Sequence, residues 1–202
     1  MYEPHIAAQL HYKGYNIKAV HTYDPENPRT ACNNLSIMTC FHPRYNLGDY
    51  HENPYVHSQF SGWGDVESTI RKDGGICIMP LTLYDHSGLT IYLTEEPHLV
   101  QYPQWDSMRV GFIYTTKEKV EEWLGWKRIT KSRKEKLIKR LKDSLSMYDA
   151  YLRGDVYDLV IEDPDGEEVE HLGEWYGLDN IEKYFDECKS LIDMYSEEVV
   201  NA

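Results

Sequence analysis

Between Arg133 and Arg153 the residues Leu137, Leu141, Leu145, Tyr148 and Leu152 recur every three or four positions. That spacing stacks side chains on one face of an α-helix. Ser132 with Glu135 gives a capping-box pattern at its start, and Gly154 gives a stop. A second stripe of Ile181, Tyr184, Phe185, Cys188, Leu191, Ile192 and Tyr195 predicts a helix over 180–197, with Asp179 and Glu182 as its start signal. Between the two helices, the runs Val156 to Glu162 and Glu168 to Tyr176 flank Pro164-Asp165-Gly166 and predict a β-hairpin. A shorter helix is predicted over Lys117 to Leu124, opened by Thr115 and Glu118 and closed by Gly125.

Upstream, strands are predicted at Tyr15 to Tyr23, Leu35 to His42, Ile76 to Tyr84, Leu89 to Thr94 and Arg109 to Thr115, with one short helix at Val66 to Lys72. Strands that dominate early and helices that dominate late define an α+β fold with a mainly antiparallel sheet and two long amphipathic C-terminal helices flanking a hairpin. A chain of 202 residues is read as one domain, with a strand- and loop-rich part (1–116) and a helix-hairpin-helix part (117–202). The apolar faces of both long helices are expected on the same side of one sheet that includes the hairpin.

Charge changes this picture more than composition does. The net charge is −13, which opposes direct nucleic-acid binding, because such binding depends on Lys and Arg displacing counterions. It is unevenly spread: −5 over residues 1–116, +7 over 117–142 and −15 over 143–202. A basic band followed by an acidic third reads either as two solvated faces or as a surface for a charged partner. No apolar run approaches the roughly 20 residues of a membrane helix, and the start MYEPHIAAQLHYKG lacks the pattern of a secretory signal, so a cytoplasmic protein without membrane contact is expected. Cys32, Cys40, Cys77 and Cys188 contain no Cys-x-x-Cys pair, which argues for free thiols rather than disulfides or a thiolate zinc site.

Three stretches carry a resemblance: Arg44-Tyr45-Asn46-Leu47-Gly48-Asp49, Tyr84-Asp85-His86-Ser87-Gly88, and Trp105-Asp106-Ser107 followed by Val110-Gly111-Phe112-Ile113-Tyr114. In combination they resemble a family of small, uncharacterised proteins of bacteriophages, prophages and related mobile elements. The chain departs from that pattern at Met108-Arg109, where a Gly-Gln pair is usual. The resemblance implies a viral or mobile-element origin and a host cytoplasm as the place of action; it implies no reaction.

Eight of the nine histidines lie within residues 1–98. Asp49, His51 and His57 come from one irregular stretch and Asp85 and His86 from a strand end, so imidazole and carboxylate ligands for a divalent metal are available where loops converge. Under that reading Asp49, His51 and His86 hold the metal, and Asp49, His51, His57, Asp85 and His86 form a hydrolase or nuclease site. The plainer reading makes Asp49, Asp85 and Ser87 turn-shaping residues and the histidines hydrogen-bonding groups, with no metal and no cofactor. No nucleophile elbow, P-loop, dinucleotide fingerprint or H-E-x-x-H motif is present.

The 17 tyrosines and 5 tryptophans favour recognition surfaces, and Tyr45, Tyr50, Tyr55, Trp63, Tyr102 and Trp105 fall outside any periodic stripe. The expected function is therefore binding rather than catalysis: an accessory protein that blocks a host protein, such as a nucleic-acid-handling defence factor of the kind targeted by anti-restriction or anti-CRISPR proteins. Glu167, Glu168, Glu170 and Glu174, with Trp105 and Tyr50, are the expected contact residues. Carboxylates there would stand where phosphates lie in the partner's channel.

Overall fold

The computed structural model describes residues 5–31, 33–96 and 103–200, so Cys32, His98 and Tyr102 lie outside the described residues. The fold is α+β with two four-stranded antiparallel sheets. Contacts divide the chain into two compact units, one formed by residues 1–25 and 154–202 and the other by residues 26–153. The single sheet expected above is thus two sheets, and the two long helices lie on different ones.

In the first unit, β1 (Ile6–Tyr12) and β2 (Tyr15–His21) pair as a hairpin, and β2 pairs with β7 (Val156–Glu162), which pairs with β8 (Glu168–Tyr176). Ile17 lies opposite Ile161 and Ala19 opposite Leu159. These inward positions meet Tyr184, Phe185, Cys188 and Ile192 of α5 (Ile181–Val200). The hairpin predicted over 156–176 forms with the expected boundaries. Its turn is closed by the Asp163 carboxylate, which accepts from the backbone N–H groups of Asp165 and Glu167, both at 2.9 Å. Strand β1 is not among the expected strands, although Ala8, Leu10 and Tyr12 alternate with Gln9 and His11 and pack, half-buried, against this core.

In the second unit the strand order is β3 (Ile37–Cys40), β6 (Ser107–Thr116), β4 (Gly75–Asp85), β5 (Leu89–Leu93). One face is covered by α4 (Lys131–Arg153), whose Leu141, Leu145 and Tyr148 pack on Met38, Leu81, Leu83, Ile91, Val110 and Ile113. The other face carries Phe112 and Tyr114, which meet Val66 and Ile70 of α1 (Trp63–Lys72). A short α2 (Pro103–Asp106) leads into β6, and α3 (Lys117–Leu124) follows it.

Two predicted helix starts shift by one or two residues. The α3 cap is Thr116, whose hydroxyl accepts from Lys119 N–H, because Thr115 is buried and donates to Leu35 C=O at 2.8 Å. Thr130, rather than Ser132, accepts from the backbone N–H of Arg133 at the start of α4. The stops are as expected, with Gly125 and Gly154 at φ 64° and 70°.

Strand β6 contains the feature that shapes the site. Its register on β4 slips between the pairs Leu81–Gly111 and Thr82–Arg109, leaving Val110 as the extra residue of a β-bulge. Val110 consequently joins the α4 face while Phe112 stays on the α1 face, although strict alternation would put the two together. Next to the bulge, Gly111 lets β3 approach: a Cβ there would lie 2.0 Å from Thr39 C=O. Gly111→Ala is expected to cost about 2–3 kcal/mol by forcing β3 and β6 apart. Gly173→Ala in β8, where a Cβ meets nothing within 4 Å, is expected to change stability by less than about 0.5 kcal/mol. Chemical denaturation of the pair measures the difference, and equal midpoints would refute it.

Candidate functional site

The charge asymmetry follows the division into units. Residues 1–25 and 154–202 carry 18 acidic and 4 basic side chains, a net −14, whereas residues 26–153 carry 16 and 17, a net +1. The sheet face of the first unit away from α5 is a mixed ladder: Lys18 pairs with Glu162, Thr22 donates to Asp158 at 3.1 Å, and His171 lies 3.3 Å from Glu168. Asp165, Glu167 and Glu168, at and beside the hairpin tip, are exposed. Glu170 and Glu174 are not the open carboxylates expected from the sequence. Both are half-buried, and they accept hydrogen bonds from the hydroxyls of Tyr195 and Tyr176, each at 2.6 Å.

The histidine and aspartate residues of the second unit separate into distinct environments. Asp85 accepts from Arg44 and, at 3.1 Å, from the Tyr45 hydroxyl. His86 Nδ1 lies 3.1 Å from the Asp106 carboxylate, with both side chains well exposed to solvent. The exposed Trp105 stands one residue before that partner. His57 begins a single 3₁₀ turn and rests its ring between Phe41 and Trp63, 5.6 and 6.3 Å away. His51 is exposed beside Tyr50. Among the described residues no three His, Cys, Asp or Glu side chains converge as metal ligands. Asp49, His51 and His86 therefore do not form the metal triad that the sequence allowed.

Asp49 is held in a structural network instead. Arg29 is buried, and each of its five guanidinium N–H groups has an acceptor. Nε and one terminal nitrogen clamp Asp49 at 2.8 Å each, and the other bonds reach Ser36 Oγ, Ser36 C=O and Ser144 Oγ at 2.9–3.0 Å. Asp49 also accepts from Met38 N–H at 2.9 Å. Beside it, Gly48 at φ 60° donates to the buried Tyr148 hydroxyl at 2.9 Å. The network ties two irregular segments to β3 and α4. Nothing in the local pattern around Arg29 marks it as buried, because the partners lie 7, 20 and 115 residues away.

A cleft of about 580 Å³ opens on the α1 side of the second sheet, walled by Phe41, Tyr55 and Trp63, with Tyr50 and Met108 also lining it. On its wall the Arg109 guanidinium lies 5.3 Å from the Trp63 ring centre and 4.6 Å from that of Phe112. The bulge at Val110 is what turns Arg109 onto this face. Its Nε is buried with no hydrogen-bond partner among the described residues, and burial lowers its pKa from the usual arginine value. His42 Nδ1 accepts from the backbone N–H of Arg44 and Tyr45 at 3.2 and 3.1 Å, so its neutral ring carries the proton on Nε2. Burial lowers its pKa further from the ordinary histidine value. Cys40, also in the lining, is buried, and that burial pushes its thiol up to about 12. Sequence periodicity missed Arg109 as a site residue because the bulge breaks the alternation that assigns strand faces.

These features define an α+β protein of two antiparallel sheets, one acidic unit and one unit with an aromatic cleft. Compared with protein-family models, curated proteins and solved structures, the chain matches none of them. None of the described helices is long and apolar enough to cross a membrane.

Proposed function

We propose that the protein acts by binding and blocking a basic, nucleic-acid-handling protein of a host cell, with its acidic unit as the contacting element. The observation that carries the reading is the segregation of charge: the −14 unit holds the whole net charge of the chain, while the larger unit is close to neutral. A strongly acidic surface steers association with a cationic groove and competes there with phosphates. The exposed Asp165, Glu167 and Glu168 stand at the tip of the β7–β8 hairpin, whose turn is held by the Asp163 carboxylate.

The test uses the intact protein as an affinity bait in host lysate treated with nuclease, alongside a variant carrying Asp165→Lys, Glu167→Lys and Glu168→Lys. All three residues are exposed, so folding should be unchanged. The parent is expected to retain a basic partner at low salt and release it to competing duplex DNA. The variant should associate about tenfold more slowly and with a shallower salt dependence. Equal retention by parent and variant, or retention indifferent to duplex DNA, would remove the phosphate-mimic reading.

A further inference from the structure

The aromatic cleft of the second unit has no part in an acidic docking surface, and its chemistry is the opposite. Among the described residues no carboxylate lines it, and the charged group on its wall is the Arg109 guanidinium, with His42 and His57 beside it. Such a lining selects an anion. Phe41, Tyr55 and Trp63 present ring surfaces, and His57 packs among them. A planar ring is the shape that stacks on walls of this kind. Arg109 adds a fork of donors held over two rings, the geometry that receives an oxyanion in a bidentate manner.

We infer that this cleft binds a nucleoside monophosphate, with the base stacked against the Phe41, Tyr55 and Trp63 walls and the phosphate on Arg109. The volume of about 580 Å³ lies within the range of small-ligand pockets, roughly 300–1,000 Å³, and is too small for a docked helix or domain. The net charge of −13 repels a long polyanion far more than a single phosphate. A free mononucleotide is therefore the occupant, not a strand of nucleic acid. The site is independent of the acidic unit and of the function proposed for it, so either reading can fail without the other.

Calorimetric titration of the intact protein with adenosine and uridine monophosphates tests this, with adenosine alone, inorganic phosphate alone and a short single-stranded oligonucleotide as comparison arms. Both monophosphates are expected to bind, and adenosine and phosphate each at least about tenfold more weakly, because each keeps half of the contacts. Arg109→Gln should weaken monophosphate binding at least about tenfold. Arg109 packs on two rings, so a second variant guards against a loss of fold: Met108→Glu places a carboxylate at an exposed cleft position and should weaken binding comparably at an unchanged melting temperature. Several outcomes would overturn the inference: no heat with either monophosphate, adenosine binding as tightly as its monophosphate, affinity unchanged in both variants, or an oligonucleotide binding tighter than the monomer.

Discussion

Removing either end of the Arg29–Asp49 pair is expected to cost about 3–5 kcal/mol, because the charge left behind is buried and uncompensated. The Arg29 side chain is 1% exposed and that of Asp49 14%. Arg29→Met strands the Asp49 carboxylate; Asp49→Ala strands the guanidinium and frees Met38 N–H as well. For a chain of this length the loss corresponds to a fall in melting temperature of roughly 10 °C. Arg29→Lys should recover little, since an ammonium cannot fork onto Asp49 while also reaching Ser36 and Ser144. The double variant Arg29→Met with Asp49→Ala should be less damaging than the sum of the singles, because neither charge remains. Thermal and chemical melts of the four proteins decide the matter. Were Asp49 a catalytic or metal-binding group, its removal would leave stability near or above that of the parent, and a melt within about 1 kcal/mol of the parent would refute the structural assignment.

The second large effect concerns the two cores. Leu141 on α4 and Ile192 on α5 are both fully buried, and the clusters they belong to share no residue. Leu141→Asp and Ile192→Asp each bury a carboxylate with no partner, a change in the most damaging class of substitution, on the order of 4 kcal/mol or more. Each variant is expected to abolish hydrogen-exchange protection in its own sheet. Leu141→Asp should expose β3–β6, and Ile192→Asp should expose β1, β2, β7 and β8. Leu191, which shares the sequence stripe, is only half-buried, so Leu191→Asp should be milder. Protection lost evenly across both sheets in either variant would show one cooperative core instead of two.

Much of the local structure was legible from periodicity and turn chemistry. The α4 stripe of Leu137, Leu141, Leu145 and Tyr148 is the buried face, and the Pro164-Asp165-Gly166 turn joins strands at the boundaries its flanking runs predict. Such signals are short-range: a helix face repeats within four residues and a hairpin closes over a few. The site was less legible. Histidines and aspartates grouped by sequence suggested a metal centre, yet Asp49 answers to Arg29, Asp85 to Arg44 and Tyr45, and His86 to Asp106. Hydrogen-bonding partners 20 to 41 residues away settle the role of a polar side chain, and no spacing rule reaches that far.

The sequence by itself determined the α+β class, the helix faces, the hairpin and the acidic C-terminal third, because each depends on neighbours along the chain or on composition. Tertiary structure alone decided that β2 pairs with β7 across more than a hundred residues, which makes two sheets where one was expected. It also decided that the bulge at Val110 turns Arg109 onto the aromatic face. Strand pairing and bulges are settled by which partner edge satisfies the backbone and which face buries the side chains. Those are properties of the assembled sheet, and a single strand does not carry them.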